Sequence, residues 1–253
     1  YVYTHTKEPV EVNNGDTVIY TLRIYNEGDI AGYAEEVKDD IPEGLEFLPE
    51  NTTNINYRWV MYDAEGNVTE NVADAVSIRT DYLSKAQEDE TGRDNLIEAF
   101  DPDTMDEPDY KEIRIAFKVT EPNTSDRIII NTAEISEDAN EDGEPVDDID
   151  STPDNDEDGE DDIDIDKIKV NYFDLALRKF ITGVNDEQIT NRVPVFSIED
   201  GKYVYTHTKE PVEVANGDTV IYTLRIYNEG PQAGYAEEVK DDLPEGLEFL
   251  PDN

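Results

Sequence analysis

The sequence predicts an all-β chain of tandem sandwich repeats joined by an acidic junction. Three observations predict it. Residues 1–51 recur at 203–253, an offset of 202 residues, with 46 of 51 positions identical. Unrelated segments do not agree so closely, and a repeat array typically spans distance or presents a surface. Apolar and polar residues alternate with period two through most of the chain, as half-buried strands require. Clusters of Asn, Asp, Gly and Pro punctuate that alternation.

Each strand follows from the same reasoning. Thr17–Asn26 puts Val18, Tyr20, Leu22 and Ile24 on one face, between the turn signals Asn14-Gly15-Asp16 and Asn26-Glu27-Gly28. Tyr33–Ile41 is a strand stopped by Pro42 and Gly44. Ile55–Tyr62 is aromatic and β-prone and reads as another. Val76–Thr80 is a short strand. Asp81–Asp101 breaks the alternation, and two stretches within it suit a turn or two of helix. Lys111–Thr120 sets Ile113, Ile115, Phe117 and Val119 on one face, and Arg127–Ser136 is the next strand. Tyr172–Ile181 starts a new repeat. Short strands at this spacing indicate an immunoglobulin-type sandwich.

Composition narrows the function. Lys and Arg number 20 against 64 Asp and Glu, a formal charge of −44, which disfavours nucleic acid and anionic membrane and favours cations. No apolar run approaches the roughly 18 residues of a membrane span. Cysteine is absent, so disulfides cannot staple the chain. No nucleophile elbow, phosphate-binding glycine loop or histidine zinc motif stands out.

From Glu134 to Asp166, 18 of 33 residues are acidic and none is Lys or Arg. This shift sets the expected domains: a repeat over 1–136 lacking its first strand, an acidic junction over 137–166, and the start of the next repeat over 167–253. The missing strand is expected upstream or from another copy. Two segments of the tract, Asp138–Gly143 and Asp154–Gly159, open like calcium loops. Their Asp138, Asn140, Asp142 and Asp154, Asp156, Asp158 offer oxygens at positions one, three and five before a glycine. Position twelve is isoleucine in both, so neither is an EF-hand. Asp147, Asp148, Asp150, Asp161, Asp162 and Asp164 are further candidate ligands. Calcium is the expected cofactor, against the alternative of a self-repelling linker.

Three polar residues interrupt apolar rows. Lys179 follows Phe173, Leu175 and Leu177. Asn131 lies between Ile129 and Ala133. Asp39 lies between Val37 and Ile41, and its copy Asp241 lies between Val239 and Leu243. A lysine, an asparagine and an aspartate are thus expected to face the core from different strands. Two readings fit them. One is a buried salt bridge completed by the asparagine. The other is an isopeptide bond, in which a desolvated neutral lysine attacks the asparagine carbonyl beside a protonated carboxyl.

The stretches GDTVIYTLRIYNEGD, YAEEVKDDIPEGLEF and IIINTAEIS resemble the bacterial surface repeats known as DUF11. They also resemble the isopeptide-forming domains of Gram-positive fimbrial proteins and collagen-binding adhesins. The resemblance implies that Lys179 is the cross-linking lysine, Asn131 its partner type, and Asp39 and Asp241 the assisting acids. By register, Lys179 and Asn131 belong to different repeats. The resemblance implies an extracellular structural repeat, on a Gram-positive cell wall or fimbria, tied by isopeptide bonds, and calcium bound by the acidic tract is expected to stiffen the junctions between repeats. Its partners are neighbouring repeats or other copies, and it is no enzyme beyond autocatalytic bond formation. The alternative is an adhesin repeat that binds a host or cell-surface ligand itself.

Overall fold

The computed structural model describes residues 6–146, 148, 149, 151–155 and 160–251. Among the described residues the chain is all-β apart from two short helices, and it divides into two units, Tyr1–Val170 and Asn171–Asn253.

Unit 1 contains β1 (Val10–Val12), β2 (Thr17–Tyr25), β3 (Gly32–Asp40), β4 (Leu45–Phe47), β5 (Val60–Tyr62) and β6 (Ser77–Thr80). It continues with β7 (Tyr110–Val119), β8 (Ile128–Asn140) and β9 (Ile163–Val170). One sheet has the order β1-β9-β8-β3-β6-β5 and the other β2-β7-β4. Neighbouring strands run antiparallel, except that β1 lies parallel to β9. The inward rows of both sheets meet in one core. Ile113, Ile115, Phe117 and Val119 of β7 are fully buried there, opposite Ile78, Ile129, Ile168 and Val170. The period-two pattern of β7 is therefore what anchors the core.

The central strand β7 is finished on its β4 side by side chains. β4 covers only residues 117–119 of β7. Beyond it, Asn54 accepts from the Ala116 amide and donates to the Ala116 carbonyl, both at 2.8 Å. The Trp59 indole then donates to the Arg114 carbonyl at 2.8 Å. Both side chains sit around α1 (Thr52–Asn56), capped by Asn51. This corrects the strand expected over Ile55–Tyr62. Helix and turn occupy its first part, because Asn54 and Trp59 are used to satisfy β7 rather than to pair as a strand. Only β5 remains of it. α2 (Lys85–Thr91) is one of the two helical stretches anticipated, with Ser84 as N-cap and Gly92 as the left-handed C-cap. Gly44 of the turn after β3 has φ +100°, and a Cβ there would overlap Ile129.

The expected domain boundary is displaced. β8 runs on to Asn140, and β9 begins at Ile163 inside the acidic tract and pairs with β8. The tract is thus the connection between two adjacent strands of unit 1, and the unit ends after Val170. Composition hid this strand. Ile168 and Val170 are buried and Lys169 between them is exposed, so the end of β9 alternates with period two despite the charge of the tract.

Unit 2 contains β10 (Leu175–Val184), β11 (Glu187–Gln188), β12 (Val195–Glu199), β13 (Lys202–Thr206) and β14 (Val220–Asn228). β10 lies between β11 and β14, and β12 pairs with β13. β14 repeats the sequence of β2, yet its apolar row is open. Tyr222 is 39% and Ile226 42% exposed, against 9% for Tyr20 and 7% for Ile24.

The Asn54 side chain serves three hydrogen bonds at 1% exposure. Asn54→Ala is expected to cost unit 1 about 2–4 kcal/mol in denaturant unfolding, because β7 is left with unpaired buried backbone groups. An unchanged midpoint would show that water replaces the side chain.

Candidate functional site

Asp39 and Asn131 meet in the interior of unit 1. β3 and β8 are paired with Asp39 opposite Ala133, which sets Asn131 one inward position further along β8. The Asn131 Nδ2 donates to Asp39 Oδ2 at 2.8 Å. Asp39 is wholly buried and Asn131 is 3% exposed. The other oxygens, Asp39 Oδ1 and Asn131 Oδ1, have no hydrogen-bond partner among the described residues. The buried Tyr20 hydroxyl has none either. Burial pushes the Asp39 carboxyl well above the usual carboxylate range. The Asn131 bond opposes that shift, and the neighbouring Asp40 adds to it. The Tyr20 phenol is pushed up by burial first, and then by the negative charges of Asp39 and Asp166. Three buried polar side chains thus come together here, each with an oxygen that lacks a hydrogen-bond partner among the described residues.

Unit 2 supplies the matching half. Lys179 Nζ lies 2.6 and 2.7 Å from the two oxygens of Asp241, the copy of Asp39. It also lies 4.5 Å from the ring centre of Tyr222, the copy of Tyr20. β10 and β14 pair with Lys179 opposite Leu224, the copy of Leu22. The aspartate and tyrosine are thus common to both halves. Unit 1 adds the asparagine and unit 2 the lysine. Lys179 and Asp241 are 37% and 42% exposed at their side chains, so in unit 2 this is an open ion pair. Lys179 and Asn131 lie in different units, as their register requires. Tyr20 was legible only as a core residue, because it continues the apolar row of β2.

Only part of the acidic tract lies among the described residues. Asp138 lies in β8. Asn140 Oδ1 accepts from the backbone amides of Asp142 and Glu144, so it closes a turn. Asp147, Asp150, Asp156 and Asp158 lie outside the described residues. Among the described residues no three His, Cys, Asp or Glu side chains converge as a metal site. Asp164 pairs with Lys7 at 2.7 Å. Asp154 reaches back over the outer face of β3 to the buried Lys38, at 3.3 Å. Glu134 and Asp40 also approach Lys38 Nζ, at 3.8 and 3.9 Å. Lys38 and Glu134 escaped the sequence reasoning, since their rows read as outward-facing.

Asp162 carries the strain of this region. Its carboxyl is pushed up to about 6, first by burial, then by Glu134, Glu160 and Asp161. Neither oxygen has a hydrogen-bond partner among the described residues.

No family model, curated protein or solved structure matches this chain.

A carboxyl raised in the folded state favours folding while protonated. That stability is fully present below its unfolded value near 4 and is lost as pH rises through about 6. Asp162→Asn is therefore expected to raise the melting temperature at pH 7 and to have little effect at pH 4. Equal shifts at both values would assign the effect to packing.

Proposed function

We propose that this chain is a stretch of an extracellular structural fibre, built from immunoglobulin-like repeats that are stapled internally by a Lys–Asn isopeptide bond. The observation that carries the reading is the shared aspartate. Asp39 holds an asparagine in one unit, and its copy Asp241 holds a lysine in the other. A complete repeat of 202 residues contains all three residue types at these places.

The chemistry follows from the environment. Burial keeps the Asp39-type carboxyl protonated, so it polarises the asparagine carbonyl and relays a proton. Burial also disfavours the charged form of a lysine that enters the pocket, which makes it a nucleophile at neutral pH. The amine bonds to the asparagine Cγ, and the amide nitrogen departs as ammonia. A covalent tie between the first and last strands bears load that hydrogen bonds alone do not. That suits a chain with no cysteine.

Calcium belongs to the same proposal in a revised place. It would be held by carboxylates of the acidic tract in the β8–β9 connection, where both Asp162 oxygens lack a hydrogen-bond partner among the described residues. Hard oxygen donors of this kind suit Ca2+. A cation there would replace mutual repulsion with attraction and stiffen the end of the unit.

The test joins residues 171–253 to residues 52–170, which places Lys179, Asp241 and Asn131 in one complete repeat. The expected intact mass is one ammonia below the calculated value, and both Lys179→Ala and Asp241→Ala restore the full mass. A full mass in the unsubstituted protein overturns the covalent staple.

A further inference from the structure

We propose that Asp166 is the base of the cross-linking reaction, a second carboxylate that flanks Asn131 on the side away from Asp39 and removes the proton the lysine must lose. This step rests on the isopeptide reading. β8 lies between β3 and β9. Asp39 reaches Asn131 from β3, and on β9 Asp166 stands directly opposite Asn131. Residues directly opposite in an antiparallel pair share a face, with Cβ atoms about 5 Å apart. Two residues along, the pair Ile129 and Ile168 is 2% and 3% exposed, so this face is the core side. Asp166 is therefore a further polar residue on the core side, hidden from the sequence by the acidic run around it.

Tyr20 supports the same placement from the facing sheet. After burial itself, the charges of Asp39 and then Asp166 push its phenol up. Its copy, Tyr222, has its ring centre 4.5 Å from Lys179 Nζ. The lysine of a complete repeat thus lies over a tyrosine that stands in the field of both carboxyl groups.

The two carboxyl groups differ in environment, and that divides their roles. Asp39 is wholly buried, and burial pushes its carboxyl well above the usual range. Asp166 is half-buried, and its Oδ1 accepts from the Lys167 amide at 2.7 Å. A protonated Asp39 polarises the asparagine carbonyl but cannot also take a proton from the lysine. A lysine ammonium has no lone pair with which to attack, so the reaction needs a separate acceptor.

With Asp166 in that role every proton has a place. Asp166 takes one from the ammonium and leaves Nζ neutral. Nζ then bonds to the asparagine Cγ while Asp39 holds the carbonyl oxygen. A second proton passes from Nζ through Asp39 to Nδ2, and the Cγ–Nδ2 bond breaks. The departing ammonia collects the first proton from Asp166 and leaves as ammonium. Asp39 ends protonated and Asp166 ionised, as they began, and no electrons are exchanged with any other reactant.

The titratable groups around Asp166 are Tyr20 of β2, Asp39 of β3 and, on its own strand, Asp164, which Lys7 holds at 2.7 Å. The experiment extends the 253-residue chain by a second copy of residues 52–170, which completes the second repeat and leaves unit 1 unaltered. The protein is kept unfolded in guanidinium from synthesis, folded by dilution and sampled by intact mass over time. The parent is expected to lose one ammonia at a rate that is flat between about pH 6 and pH 8. Asp166→Asn in the added copy is expected to slow that loss about a hundredfold or more near pH 6. Its rate is then expected to climb about tenfold per pH unit, because only the small neutral fraction of the lysine reacts. Asp166→Ser gives the same slope and stands in where the asparagine variant does not fold. Asp166→Glu, which keeps a carboxylate, is expected to regain the flat profile. A linked parent beside an Asp166→Asn protein of equal rate, or one that is slower but equally flat, overturns the base and leaves the staple standing. A parent of full calculated mass overturns both.

Discussion

The organisation of this chain depends on one carboxyl group kept away from water. Burial at the centre of a sandwich pushes the Asp39 carboxyl well above the usual carboxylate range, and the group takes a single hydrogen bond from Asn131. One bond does not satisfy the pair. An oxygen on each residue is left bare inside a core of isoleucine, valine and phenylalanine. Polar groups in that condition are usually completed by something else. In the other copy of the repeat the same aspartate faces an ammonium group.

The same logic governs the edges of the sheet that faces the pocket. β7 is central, and its backbone is satisfied on one side by β2 and on the other by β4, Asn54 and Trp59 in succession. That side is finished with side chains, which no incoming strand can displace without unpacking α1. On the other side β2 is the outermost described strand of this sheet.

Charge works on the opposite face. A chain with 64 acidic residues against 20 basic ones places its few cations where they count. Lys38 is drawn under the acidic tract between Glu134, Asp154 and Asp40, and so pins the β8–β9 connection to the outer face of β3. The tract is crowded enough that Asp162 holds a proton to about pH 6.

Much of this was legible in the sequence. Period-two alternation located β2, β3, β7, β8 and β10 to within a few residues, because each buries one face. The same rows exposed Asp39, Asn131 and Lys179 as polar residues on the core side, since a polar residue in an apolar row is visible without coordinates. What the sequence could not carry was pairing. β9 hides in an acidic run because its strand character rests on two buried side chains, Ile168 and Val170, and on its partner β8. The stretch Ile55–Tyr62 looks like a strand, but the need to finish β7 turned its first half into a helix. The meeting of Asp39 with Asn131, 92 residues apart, depends on register between β3 and β8. The alternation of a strand is a local property and determines which way each side chain faces. Register and strand order are long-range properties, so only the tertiary structure decides which of those side chains meet.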